Sequence, residues 1–145
     1  MDKAFEFDLD LAVEKSSQNP VYYVQYAHAR ICSILRTLKQ EGLYAEGTPV
    51  SELPAPETAQ EIELIRHLAQ FPAEIAAAAN AYDPSRVTKY ALELATLYHK
   101  FYDACSVKNA ETEVLREART NICRAVGQTL RNAMSILKID CPESM

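Results

Sequence analysis

The sequence predicts an all-α protein, a helical bundle in one domain, and three observations carry that prediction. Glycine is scarce, three in 145 residues, and consecutive β-branched residues are few, so composition favours helix over sheet. Apolar residues recur at three- and four-residue spacing along most of the chain, the period of a helix with one buried face. Start and stop signals bracket those periodic stretches. A chain of this length suits a single core.

Residues 5–15, FEFDLDLAVEK, alternate apolar and acidic residues and then turn helix-like, which predicts a short opening helix. The next helix runs from about Pro20 to Gln40. Asn19 supplies its N-cap and Pro20 its first helical position, and Glu41-Gly42 is a C-terminal glycine stop. Val24, Ala27, Ile31, Ile34, Leu35 and Leu38 fall on one side, an ordinary core stripe. His28 falls beside that stripe and is expected to be a hydrogen-bonded packing residue. Tyr23, Tyr26 and Arg30 line a separate side, roughly a third of a turn away. That second face is aromatic and cationic and is not needed to bury the helix.

Residues 42–56, GLYAEGTPVSELPAP, hold two glycines and three prolines and predict an irregular connection, a place for mobility or proteolysis. Helix character resumes at TAQEIELIRHLAQF, with Ile62, Ile65, Leu68 and Ala69 on one face. Pro72 is expected to end it, because an interior proline removes a donor and clashes with the preceding turn. A fresh helix then runs to Tyr82, followed by turn chemistry at Asp83-Pro84-Ser85. Another spans about Ser85 to Cys105, burying Val87, Tyr90, Ala91, Leu94, Leu97, Tyr98 and Phe101. The last spans about Glu111 to Leu137, with Val114, Leu115, Ala118, Ile122, Val126, Thr129, Leu130, Ala133 and Leu137 inward.

A formal charge of −5 argues against a general polyanion binder, since nonspecific affinity for nucleic acid comes mainly from phosphate neutralisation. The acids concentrate in residues 1–18 and 51–84, however, leaving 19–50 and 85–145 slightly basic. Such a chain still suits one specific RNA loop, bound by stacking and base-edge contacts. Cys32, Cys105, Cys123 and Cys141 stand apart without metal-ligand spacing and read as reduced thiols. No apolar run approaches the roughly 20 residues of a membrane span, and the start lacks a secretory signal, so a cytoplasmic location is expected. His28, His67 and His99 are singletons, and no phosphate-cradling loop exists. Asp8/Asp10 and Glu61/Glu63 read as local charge on exposed faces. The pattern is that of a binding domain with no catalytic residues.

NPVYYVQYAHARICSIL closely resembles the signature helix of the C-terminal anticodon-binding domain, the DALR domain, of bacterial arginyl-tRNA synthetase, a class I synthetase. FDLDLA precedes it at the right distance. LAQFPAEIAAAANAYDPSRVTKYALELATLYHKFYDACSV resembles the family's middle section, and LREARTNICRAVGQTLRNAMSILKIDCPESM its closing helix and terminal peptide. One departure is EARTNICRAV, where the family commonly has a more aliphatic stretch, although Ile122 and Val126 keep the apolar register.

The resemblance implies recognition of the anticodon loop of arginine tRNA. Carried over by position, Tyr23, Tyr26, Tyr102 and Met145 form the pocket for the central anticodon bases. Loops are read by splaying bases onto aromatic or guanidinium planes. Arg30 suits a phosphate or a base edge. Gln25 is a further candidate, but it points away from the tyrosines on a helical wheel and is expected to pin a neighbouring loop or helix end instead. HIGH-like and KMSK-like ATP motifs are absent, so ATP and Mg belong by resemblance to a catalytic domain outside this chain, and no cofactor is expected within it. Met1 sits where the full enzyme would run in from that domain, which reads as a separately expressed piece, inactive alone in joining arginine to tRNA. The expected partners are arginine tRNA and the catalytic domain, with no membrane. Two alternatives remain: a helical protein-interaction module docking through the aromatic face, or the DALR domain of another class I synthetase, such as the cysteinyl or glycyl enzyme.

Overall fold

A computed structural model describes residues 7–44, 49 and 52–145. Five helices stand among them: α1 (Leu9–Val13), α2 (Pro20–Gln40), α3 (Ala59–Asn80), α4 (Ser85–Ala104) and α5 (Glu113–Ile136). The first two residues of the predicted opening helix and residues 45–48, 50 and 51 of the 42–56 connection lie outside the described residues. Helices α4 and α5 form the centre, each packing on the other and on both α2 and α3. Ile31, Leu38, Leu64, Leu94, Tyr98, Phe101, Val126 and Leu130 meet there, closed to solvent. Gly127 lets α5 approach α2, since a Cβ at that position would stand 3.1 Å from Ile31 Cγ2.

The expected start and stop of α2 are present. Asn19 accepts from the Val21 and Tyr22 amides, while its Nδ2 donates to the carbonyls of Ala12 and Glu14. One side chain thus caps α2 and ties the end of α1 to it. Gly42, at φ 67, closes the other end, with the Leu43 amide bonded back to the Leu38 carbonyl. The same reversal ends α3 and α5 without glycine: Tyr82 and Lys138 adopt positive φ, and the next amides bond back to Ala78 and Met134.

Four expectations are corrected. Helix α3 does not break at Pro72 but continues through it. Tertiary packing outweighs the missing backbone bond, because Leu68, Phe71 and Ile75 all lie against the core, and a break there would strip them from α4. The inward face of α3 is rotated as well. Ile62 and Ile65 are exposed, while Glu61, Leu64 and His67 are buried. His67 stacks on Tyr90 at 4.2 Å, its Nε2 lies 3.3 Å from the Tyr90 carbonyl, and the Tyr90 hydroxyl donates to the His67 carbonyl at 2.8 Å. Glu61 therefore does not belong with exposed surface charge. Its Oε2 accepts from the Glu57 and Thr58 amides, and its Oε1 accepts from Arg119 Nε at 2.8 Å. On α5 a similar rotation buries Thr120, Cys123 and Gly127, leaves Val114 exposed, and sets Leu115, Ala118 and Ile122 along an apolar groove with residues 53–56.

Candidate nucleic-acid interface

The second face of α2 lies over α4 and forms an open pocket of about 450 Å³, within the range of small-ligand sites. Its lining includes Tyr22, Tyr23, Tyr26, Arg30, His99 and Asp103. Helix periodicity explains the α2 contribution: Tyr22, Tyr26 and Arg30 are spaced four apart and Tyr23 flanks them. Tyr22 and Tyr26 lie nearly parallel, 11° between planes with centroids 6.4 Å apart, and Tyr26 continues to His99 at 5.9 Å and 27°. Three flat rings thus follow one another along the pocket. Tyr26 is 43% exposed. Tyr23 differs: it is half-buried against the core, tilted on His99 at 5.1 Å, with its hydroxyl 3.4 Å from Thr96 Oγ1. It serves as wall more than shelf.

Electrostatics favour an uncharged ring at His99. Burial, and then the Arg30 cation, push its imidazole below the ordinary value, and Asp103 does not reverse this. His99 Nε2 is buried without a hydrogen-bond partner among the described residues. The Arg30 guanidinium sits over the Tyr102 ring, 3.8 Å from its centroid, a cation–π contact that holds it at the pocket rim.

Of the six residues singled out in the sequence, the structure therefore brings Tyr23, Tyr26 and Arg30 together in the pocket lining. Tyr102 stands behind Arg30, with one ring face covered. Gln25 turns to the other side and donates from Nε2 to the Asp140 carbonyl at 2.8 Å. His28 does the same from Nδ1 to the Pro142 carbonyl at 2.9 Å. A carbonyl only accepts, so His28 carries its proton on Nδ1. Together these bonds strap residues 140–142 onto α2. Met145, at the end of that strap, is exposed and is not among the pocket-lining residues. Sequence reasoning missed Tyr22 and His99. The four-residue spacing of Tyr22 and Tyr26 was a usable signal; nothing local marked His99, which reaches the site through the packing of α4 on α2.

Among the described residues, no group of three or more His, Cys, Asp or Glu side chains is placed to hold a metal ion, and no helix is long and apolar enough to cross a membrane. The four cysteines are free thiols.

Comparison with known proteins connects this geometry to a family. A model described as the DALR anticodon binding domain matches residues 24–145. The arginine–tRNA ligase of Caldanaerobacter subterraneus subsp. tengcongensis is 46% identical over 144 residues, 99% of this chain and 25% of that protein. The arginine–tRNA ligase of Moorella thermoacetica is likewise 46% identical, over 99% of this chain and 26% of its own length. The chain thus spans about a quarter of the length of the curated relatives it matches. Thermus thermophilus arginyl-tRNA synthetase superposes with a TM-score of 0.73 at 32% identity, over 85% of this chain and 21% of that one. A crystal structure from Campylobacter jejuni gives a TM-score of 0.78 over 99% of this chain and 30% of that one; at 24% identity this likeness establishes the fold alone. With the family match covering most of its length, the chain belongs to the DALR anticodon-binding domain family.

Proposed function

We propose that this chain acts within arginyl-tRNA synthetase as the domain that grips the anticodon loop of arginine tRNA. The observation that carries the proposal is the row Tyr22, Tyr26, His99 in an open pocket with Arg30 at its rim. Unpaired bases stack on such rings at about 1–3 kcal/mol each by alanine substitution, and a guanidinium supplies hydrogen bonds to a base edge or phosphate. Neutral His99 suits this role, because an uncharged imidazole accepts a stacked base without a further cation beside Arg30. Ligation of arginine to tRNA, with ATP and magnesium, is assigned to the catalytic part of the synthetase outside this chain. The domain's partners are then that catalytic part and the tRNA, in the cytoplasm.

The test is a titration of this chain with the anticodon stem-loop of arginine tRNA and with the same stem carrying other loop bases. Tighter binding of the first, lost when Tyr23 and Tyr26 are both changed to Ala with helix content retained, supports the proposal. Equal, feeble binding of both RNAs overturns it and favours a protein-docking module. Unfolding of the double variant would place these rings in the structural core; Tyr26→Ala alone, whose ring is the more exposed, then decides.

A further inference from the structure

On the opposite flank of α2, towards α5, lies a groove of about 690 Å³ with a different lining. Arg36 and Lys39 reach it from α2, Arg124 and Arg131 from α5, and Glu143 of the terminal strap is the one acid among the lining side chains. All four cations are exposed, and among the described residues none of them is in an ion pair. The two arginines of α5 are positioned instead by neutral amides. Arg131 Nη2 donates to Gln128 Oε1 at 2.8 Å, and Gln128 Nε2 in turn donates to Asn132 Oδ1 at 2.8 Å. Arg124 Nη1 lies 3.4 Å from Asn121 Oδ1, and its guanidinium stands 5.6 Å from the Tyr44 ring centroid. Carboxylate partners would have cancelled these charges; amides orient them and leave them whole. In a chain of formal charge −5, a groove with four cations and one acid in its lining suits an occupant of opposite sign.

We propose that this groove is a second RNA subsite that takes backbone phosphates of the same nucleic acid whose loop bases enter the aromatic pocket. The proposal rests on the functional reading above. Helix geometry supports the pairing: Arg36 is ten residues beyond Tyr26, about 15 Å along α2 and about 80° around it, so a strand leaving the rings meets Arg36 first and the groove next. Phosphate contacts fix register and carry no base information. The groove therefore contributes affinity and salt dependence, while the pocket contributes sequence preference.

The experiment measures the dissociation constant against salt concentration for two RNAs, the arginine tRNA anticodon stem-loop and the same hairpin with abasic loop nucleotides. Proteins compared are the wild type, the pairs R36Q/K39Q and R124Q/R131Q, and the quadruple variant. Each cation removed is expected to lower the slope of log affinity on log salt by about 0.7–1, with both RNAs, leaving the native-loop preference unchanged. The pairs should each remove about half of the quadruple effect, which keeps the test valid if the quadruple variant fails to fold. Unchanged slopes overturn the groove while leaving the pocket standing. Loss of loop preference in the wild type with groove-dependent slopes intact overturns the pocket reading alone. An oligoglutamate peptide that binds the groove as tightly as the abasic hairpin overturns the assignment to RNA.

Discussion

Glu61 and His99 are both titratable side chains within the bundle, and the regions around them are finished in opposite ways. At the junction of α3 and α5, Glu61 is 2% exposed and meets two amides and a guanidinium. Arg119 also donates to the Ser106 carbonyl at 2.8 Å. Burial raises the Glu61 carboxyl, but the Arg119 hydrogen bond and the Thr58 and Glu57 amides outweigh it, and its pKa ends below the ordinary value. The charge stays because every donor it needs is present. In the pocket between α2 and α4, His99 has no such partner for Nε2, and burial with Arg30 nearby holds it neutral. The first region is closed on itself. The second keeps flat rings and a cation turned outward, which is what a binding surface requires and a structural joint does not.

The largest expected effect tests the closed region. Glu61→Ala leaves the largely covered Arg119 guanidinium without its carboxylate and removes the Glu61 half of its capping box with Thr58. It should therefore cost about 3 kcal/mol of folding stability, the low end for a broken buried pair, read by urea denaturation. The loop preference of the folded fraction should stay unchanged. A loss below about 1 kcal/mol would mean the pair is not a joint.

Next comes the open region. Tyr26→Ala should weaken stem-loop binding by about 1–3 kcal/mol while stability shifts by less than about 0.5 kcal/mol, typical of a surface substitution. The reverse pattern in the same two assays would make the pocket a piece of core.

The smallest effect is in pH. A folded pKa below the unfolded one means that the unfolded chain binds more protons, so both groups lose stability on acidification, in separate windows. His99 contributes fully above its ordinary value of 6.5 and loses that contribution as pH falls through its lowered value. Glu61 contributes fully above about 4.5 and loses it as pH falls through its own lowered value. His99→Phe keeps a flat ring, so it should flatten the upper window and spare RNA binding. Glu61→Gln should flatten only the lower one.

This contrast also explains what could be read from the sequence. Helix α2 was legible from cap to stop, since Asn19, Pro20 and Gly42 act locally, and so were Tyr23, Tyr26 and Arg30 of the pocket, set by spacing along one helix. The inward faces of α3 and α5 were not. Periodicity assigns apolar residues to the interior, and Glu61, His67 and Thr120 are inside because distant residues or the preceding turn satisfy them: Arg119 for Glu61, Tyr90 for His67, the Arg116 carbonyl for the Thr120 hydroxyl. Pro72 misled for the same reason, its local cost being overridden by packing against α4. The ends near Tyr82 and Leu137 were legible, from the Asp83-Pro84-Ser85 turn chemistry and from where the apolar period stops, but nothing marked Tyr82 and Lys138 as the residues that take up positive φ. His99 was invisible until α4 met α2.

The strap held by Gln25 and His28 has a practical consequence. Asp140 and Pro142 are hydrogen-bonded to a long helix, so a purification handle or fluorescent reporter fused after Met145 starts from a docked segment and pulls on α2 beside both candidate surfaces. The opposite end, where α1 contributes no buried residue, is the better place to attach one, and the binding measurements above belong on protein prepared that way.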